Sequence, residues 1–103
     1  LDALIVVFNN GGGAIFAHLP QAGLPEFEQA WLTPQSIDFA AAAQTFGLAY
    51  RAASTPDATA TAVAAALQAG GPSLLEIRLD RRAGLAERQA WAQAMAGLDL
   101  GPP

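Results

Sequence analysis

Residues 1–8 are nearly all Leu, Ile, Val and Ala and close on Phe8. A run without polar alternation predicts a strand covered on both faces, as in a parallel sheet. Residues 9–14 interrupt it with two asparagines and three glycines; glycine costs backbone entropy and gives a sheet nothing to pack, so a loop follows. Residues 25–31 set Phe27 and Trp31 one helical turn apart, with Glu26 and Glu28 turned elsewhere, and predict a short helix. Ser36 is the expected N-cap of the next helix, with Asp38 near its positive end. Phe39, Ala43 and Phe46 share one face of it, and Gly47 stops it.

A second strand is expected over residues 48–53. Thr55 and Pro56 read as N-cap and first helical residue. The helix they open runs to about Gln68, packs through Ala62, Val63, Ala66 and Leu67, and ends at Gly70, Gly71 and Pro72. Residues 73–79 form a third strand, with Leu75, Ile77 and Leu79 on one face. Leu74, Glu76 and Arg78 occupy the other, which is expected to emerge toward solvent. A last helix over residues 85–98 presents Trp91, Met95 and Leu98 at helical spacing.

Strands separated by helices of these lengths predict parallel pairing through right-handed crossovers, hence an α/β fold: a three-layer, doubly wound parallel sheet. Three strands make a small sheet. Moreover, the chain opens at Leu1 directly on apolar residues, and its sole methionine is Met95. Residues 1–103 are therefore expected to be the C-terminal portion of a larger domain whose N-terminal part is missing. Such a piece would leave an apolar sheet edge or face bare.

Charge narrows the function. The five positive side chains are all arginine, set against nine carboxylates for a net charge of -4, and they form no basic stripe, which argues against nucleic acid. The absence of cysteine excludes disulfides and thiolate metal sites and agrees with a reducing compartment. No apolar run approaches the ~20 residues that span a bilayer, so integral membrane association is not expected and the chain reads as cytoplasmic. No lysine follows the glycines to make a Walker loop, and contiguous Gly11, Gly12 and Gly13 lack the dinucleotide-binding spacing.

The segment from Asn9 to Phe16 admits two readings. As a turn, Asn-Gly is a common dipeptide and the glycines only ease a tight bend. As a site, an asparagine oxygen and a nearby backbone carbonyl are hard, neutral ligands suited to Mg²⁺, and exposed glycine N–H groups suit a phosphate. The loop offers no carboxylate. A complete magnesium site would need an acidic residue from elsewhere and a diphosphate to supply the remaining oxygens.

A strand ending in Asn9-Asn10 before a glycine-bearing turn resembles the second half of the thiamine-diphosphate-binding motif, whose first half is an upstream Gly-Asp segment. Ser36-Ile37-Asp38-Phe39 ahead of an alanine-rich helix, Phe46-Gly47, Thr55-Pro56, and Gly71-Pro72-Ser73-Leu74-Leu75-Glu76-Ile77-Arg78 agree with that superfamily. Within it the chain looks most like the 2-succinyl-5-enolpyruvyl-6-hydroxy-3-cyclohexene-1-carboxylate synthases. The specific part is Gly12-Gly13-Ala14-Ile15-Phe16-Ala17-His18-Leu19-Pro20, supported by Leu32-Thr33-Pro34 and Arg78-Leu79-Asp80-Arg81.

The resemblance implies a partial diphosphate-binding domain, with thiamine diphosphate and Mg²⁺ (Mn²⁺ as an alternative) as cofactors. It assigns Asn10 and the Gly12 carbonyl to the metal, and Asn10, Gly11, Gly12, Gly13, Ile15 and Phe16 to the cofactor. Ile15 and Phe16 would flank its thiazolium; plain hydrophobic packing is the competing role for both. The implied enzyme is a transferase of menaquinone biosynthesis that decarboxylates 2-oxoglutarate and adds the succinyl carbanion equivalent to isochorismate, as a homo-oligomer, dimer or tetramer. Another thiamine-diphosphate decarboxylase or carboligase, similar to acetolactate synthase, is the alternative.

No catalytic residue is assigned to this chain. In the superfamily the acidic metal ligand lies upstream, and the glutamate that activates the cofactor comes from another domain across a dimer interface. The 103 residues alone are thus expected to be inactive, a folding or interaction module. His18 is expected to have a surface or supporting role. Arg78, Asp80, Arg81 and Arg82 are expected to form an exposed ion-pair cluster worth ~0–1 kcal/mol per pair. Three positions depart from the pattern: Gly84 and Arg88 stand where asparagine and histidine are usual. Gly11 replaces a frequent acidic residue and is expected to loosen the turn.

Overall fold

The computed structural model describes residues 1–98 and Gly101. Strand β1 (Ala3–Asn9) leads through a single-turn 3-10 segment (Ala14–His18), a second (Pro20–Gly23) and a π-helical turn (Phe27–Leu32) to helix α1 (Phe39–Thr45). Strand β2 (Ala49–Ala53), helix α2 (Pro56–Ala69), strand β3 (Pro72–Arg78) and helix α3 (Arg81–Ala96) follow. The three strands form one sheet in the order β1-β3-β2. Both pairs are parallel, with Ala3 opposite Pro72 and Ala49 opposite Ser73.

This order explains the layers. The connection from β1 to β2 travels across β3, and the connection from β2 to β3 returns. Right-handed crossovers travelling in opposite senses put α1 and α2 on opposite faces of the sheet. Register divides the side chains accordingly. Leu4, Val6 and Phe8 share one face with Leu75, Ile77 and Ala53, and there Leu4 and the α2 residues Ala62 and Val63 pack against the buried cluster Ala53, Leu75 and Ile77. The other face carries Val7, Asn9, Tyr50, Leu74 and Glu76.

Caps fix the helix starts. Asp38, not Ser36, caps α1: its Oδ1 accepts from the Ala41 N–H at 2.9 Å. Thr55 caps α2 through its hydroxyl oxygen, which accepts from Ala58 N–H at 3.2 Å, with Pro56 in the first turn as expected. Asp80 Oδ1 accepts from Arg82 and Ala83 N–H, so α3 starts at Arg81, a full turn earlier than residue 85. The expected helix at residues 25–31 is the π-helical turn, shifted to end at Leu32, which is fully buried.

Several packing expectations fail at the periphery. Leu67 and Phe46 are 71% and 78% exposed, so the inner faces of α2 and α1 are narrower than their apolar spacing suggests. Leu79 lies beyond the end of β3 and is exposed. Trp91, Met95 and Leu98 also face outward. Strand β1 is an edge strand, not covered on both faces: Ile5, Val6 and Phe8 are exposed, which is the bare apolar edge expected of a small sheet. The radius of gyration is 18.0 Å, against about 13 Å for a closed domain of 100 residues. Among the described residues no helix is long and apolar enough to cross a membrane.

Candidate functional site

The carboxyl ends of the three strands lie at one edge of the sheet, where open α/β sheets hold ligands. Strand β1 ends there at Asn9 and turns through Asn10, Gly11, Gly12 and Gly13. Each asparagine is folded back on the turn. Asn9 Oδ1 accepts from Gly11 N–H at 3.0 Å, and Asn10 Oδ1 accepts from Gly12 N–H at 3.3 Å. These side-chain mimics of a backbone turn are the conformation that makes Asn-Gly a turn dipeptide.

The turn docks on the last residue of the π-helical turn and on the segment that follows it. Gly13 N–H donates to the Leu32 carbonyl at 2.6 Å, and Gln35 N–H donates to the Gly11 carbonyl at 3.1 Å. A Cβ on Gly12 would lie 2.6 Å from the Leu32 oxygen, with φ at +153°, so only glycine permits this approach. Gly11 has φ +77° and open space around it. Its N–H and its carbonyl are both bonded, and its φ is one that glycine adopts freely.

Beneath the turn lies a polar cluster. Glu76 sits in the central strand with 4% of its surface exposed, contrary to the expectation that this face of β3 emerges toward solvent. Asn9 Nδ2 donates to Glu76 Oε1 at 2.6 Å. The Tyr50 hydroxyl donates to Oε2, and Arg78 Nε donates to the same oxygen at 3.2 Å. Arg78 Nη2 also donates to the Tyr50 hydroxyl oxygen at 3.1 Å. One carboxylate of β3 thus joins the carboxyl end of β1, through Asn9, to β2, through Tyr50 near the amino end of that strand. The Tyr50 hydroxyl above all, then Asn9 and Arg78, hold the Glu76 carboxyl below the usual carboxylate range despite its burial; the same contact with Glu76 raises the Tyr50 phenol.

Sequence reasoning placed Arg78, Asp80, Arg81 and Arg82 in one ion-pair cluster. The structure separates them: Arg78 pairs with Glu76, Arg81 pairs with Glu28 at 3.2 Å, and Asp80 caps α3. Glu76 was missed as a site residue, although a lone acid inside Leu-Leu-Glu-Ile was the available signal, since a carboxylate in a buried strand needs partners.

An open cleft of about 450 Å³ lies over this edge, lined by Asn9, Asn10, Gly11, Glu28, Glu76 and Arg81 among others. A second, of about 490 Å³, adjoins it on the far side of Asn10, where Ile15, His18, Leu19 and Leu85 form its wall with Arg81 and Arg88. Asn10 borders both. Ile15 is 71% exposed, whereas Phe16 is half-buried with its ring edge-on to Trp31 at a centroid distance of 5.7 Å. The structure therefore brings Asn10, Gly11, Gly12 and Gly13 together as one turn, leaves Ile15 open to the second cleft, and packs Phe16 against a neighbouring ring.

The donor set of the turn suits a hard cation. The Asn10 oxygen and the Gly12 carbonyl, two residues apart, are neutral oxygens with one internal acceptor bond each, and each oxygen has a second lone pair. Among the described residues no group of three or more His, Cys, Asp or Glu could hold a metal by itself.

Residues 1–77 match the family model for the thiamine pyrophosphate enzyme, C-terminal TPP binding domain; thiamine pyrophosphate and thiamine diphosphate are the same compound. The chain is 53% identical over 64 residues, 62% of its length, to the 2-succinyl-5-enolpyruvyl-6-hydroxy-3-cyclohexene-1-carboxylate synthase of Dechloromonas aromatica. It is 41% identical over 95 residues to the synthase of that name from Roseiflexus castenholzii and 36% identical over 101 residues to that of Halobacterium salinarum, covering 91% and 97% of this chain. The matched stretches span 12%, 16% and 17% of those three relatives. Parallel sheet, strand-end asparagine turn and family match agree: the chain belongs to the thiamine pyrophosphate enzymes, within their C-terminal cofactor-binding domain.

Proposed function

We propose that this chain is the part of a 2-succinyl-5-enolpyruvyl-6-hydroxy-3-cyclohexene-1-carboxylate synthase that grips the diphosphate end of its cofactor. In this reading Asn10 Oδ1 and the Gly12 carbonyl ligate Mg²⁺, with Mn²⁺ as a substitute, and the Asn10–Gly13 turn borders the diphosphate. The observation that carries it is the turn itself, two asparagines and three glycines at the carboxyl end of a parallel strand, with two hard oxygens two residues apart. Ile15, exposed beside the second cleft, and Phe16 behind it offer an apolar wall to the reactive end of the cofactor.

Bound thiamine diphosphate supplies the electron sink for decarboxylation, and the protein supplies position and electrostatics. The proposed substrates are 2-oxoglutarate and isochorismate, and the proposed setting is cytoplasmic menaquinone biosynthesis by a homo-oligomer. The similarity to synthases of that name supports the choice. The remaining metal ligand and the catalytic acid–base groups belong, in this reading, to parts of the enzyme outside these residues, so the 103 residues alone do not turn over substrate.

The complete enzyme that carries this domain should consume 2-oxoglutarate together with isochorismate. Carboligation of pyruvate without that activity would instead favour an acetolactate-synthase relative. Asn10→Ala in the same enzyme should raise the Mg²⁺ concentration needed for half-maximal thiamine diphosphate binding by tenfold or more. An unchanged Mg²⁺ dependence would remove Asn10 from the ligand set.

A further inference from the structure

An asparagine amide has an oxygen on one side and an NH₂ on the other, and only its partners decide which way it faces. Asn9 faces two groups at once. On one side is Glu76 Oε1, at 2.6 Å from Nδ2, and on the other is the Gly11 N–H, at 3.0 Å from Oδ1. An ionised carboxylate only accepts, so it takes the NH₂ and leaves the oxygen for Gly11. Were the amide reversed, its oxygen would face a carboxylate and its NH₂ would face an N–H, and both contacts would be lost.

Glu76 is itself held on several sides. It lies in the central strand, is 4% exposed, and is held on its other oxygen by Tyr50 from β2 and by Arg78. The contact to Asn9 joins residues 67 apart in sequence. From these contacts we infer that Glu76 is the positioning residue of the asparagine-glycine turn: it sets the orientation of the Asn9 amide, which in turn holds Gly11 and aims Asn10 and Gly12 at the ligand. The turn's geometry carries the positioning role; its purpose rests on the proposal that Asn10 and Gly12 hold a metal and a diphosphate.

The relay makes an unusual demand on substitutions. In Glu76→Gln the new amide must keep its oxygen toward Tyr50 and Arg78, so its NH₂ points at the NH₂ of Asn9. Asn9 then reverses and loses Gly11. In Asn9→Asp two carboxylates meet where one hydrogen bond stood. Combining the two changes restores the pattern with its partners exchanged: the amide at 76 donates to a carboxylate at 9, and that carboxylate also accepts from Gly11. Tyr50→Phe removes a different partner of Glu76 and leaves the Asn9 contact intact.

These four variants, made in the complete enzyme, are compared by amide hydrogen exchange of residues 9–16 without cofactor and by Mg²⁺-dependent thiamine diphosphate binding. Each single change at 76 or 9 should speed exchange of the turn and weaken cofactor binding at least tenfold. The double variant should recover to within about threefold of the parent in both, and Tyr50→Phe, which leaves the Asn9 contact in place, should disturb both less than either single change at 76 or 9. If Glu76→Gln does not fold, rescue of Asn9→Asp by the second change still tests the coupling. A double variant no better than the worse single variant, or exchange in the turn unchanged by Glu76→Gln, would overturn the inference. Coupled rescue of exchange with no variant altering cofactor binding would support Glu76 as the residue that sets the turn and overturn the ligand reading of Asn10 and Gly12.

Discussion

Alanine at Gly12 should cost far more than alanine at its neighbour Gly11, although both replace a glycine in the same turn. At Gly11 the added Cβ meets nothing within 4 Å and the cost is that of holding alanine at φ +77°, about 1–2 kcal/mol. At Gly12 the backbone lies at φ +153°, a region that costs of order 1–3 kcal/mol without glycine. There the Cβ would also lie 2.6 Å from the Leu32 carbonyl oxygen and 3.3 Å from that of Thr33. Leu32 must then move, and its carbonyl is the acceptor for Gly13 N–H at 2.6 Å. Losing that bond adds about 1 kcal/mol. Gly12→Ala should therefore destabilise by about 2–4 kcal/mol, roughly twice Gly11→Ala or more. Urea unfolding followed by tryptophan fluorescence measures both, because half-buried Trp31 packs on Phe16 beside the turn. Equal unfolding midpoints for the two variants would refute the close approach of Gly12 to Leu32.

Two further effects follow from caps and charges. Asp38→Ala should lower stability by about 1 kcal/mol through loss of the bond to Ala41 N–H, while Ser36→Ala should change it by less than about 0.5 kcal/mol; equal losses in denaturant titrations would return the cap to Ser36. For pH, Glu76 is depressed in the folded chain, so its contribution is complete above the ordinary carboxylate range and is lost as pH falls through its lower folded-state value. Tyr50 is raised, so its contribution is complete below the ordinary phenol value and is lost as pH rises past it. Glu76→Gln should flatten the acid limb of the stability profile relative to the parent and Tyr50→Phe the alkaline limb; profiles parallel to the parent at both ends would contradict the cluster.

The three strands, the parallel pairing and the asparagine turn were legible in the sequence because each depends on local signals: an unbroken apolar run, glycines in sequence, and a Thr-Pro helix start. The resemblance carried by the Gly-Gly-x-Ile-Phe-x-x-Leu-Pro segment also pointed to the family that the comparison finds. What was not legible depends on distant partners. Asp38 and Ser36 are both competent caps, and only the backbone conformation at Asp38 decides between them. Glu76 alternates with Leu75 and Ile77 as an outward residue would, but β3 is the central strand and both of its faces are covered. Leu67 has helical spacing with Val63, yet a three-stranded sheet is too narrow to cover the whole apolar flank of α2.

Strand order carries a consequence for how the molecule is made. Among the described residues, strands β1 and β2 pair only with β3, the last of the three to be synthesised. As these residues emerge from the ribosome, neither of the pairings seen here can form until residue 78 has followed. The sheet must then assemble by insertion of the late strand between two waiting ones, across separations that slow folding. Glu76 arrives on that same strand, so the asparagine turn acquires its strand partner only from a residue made 67 positions later.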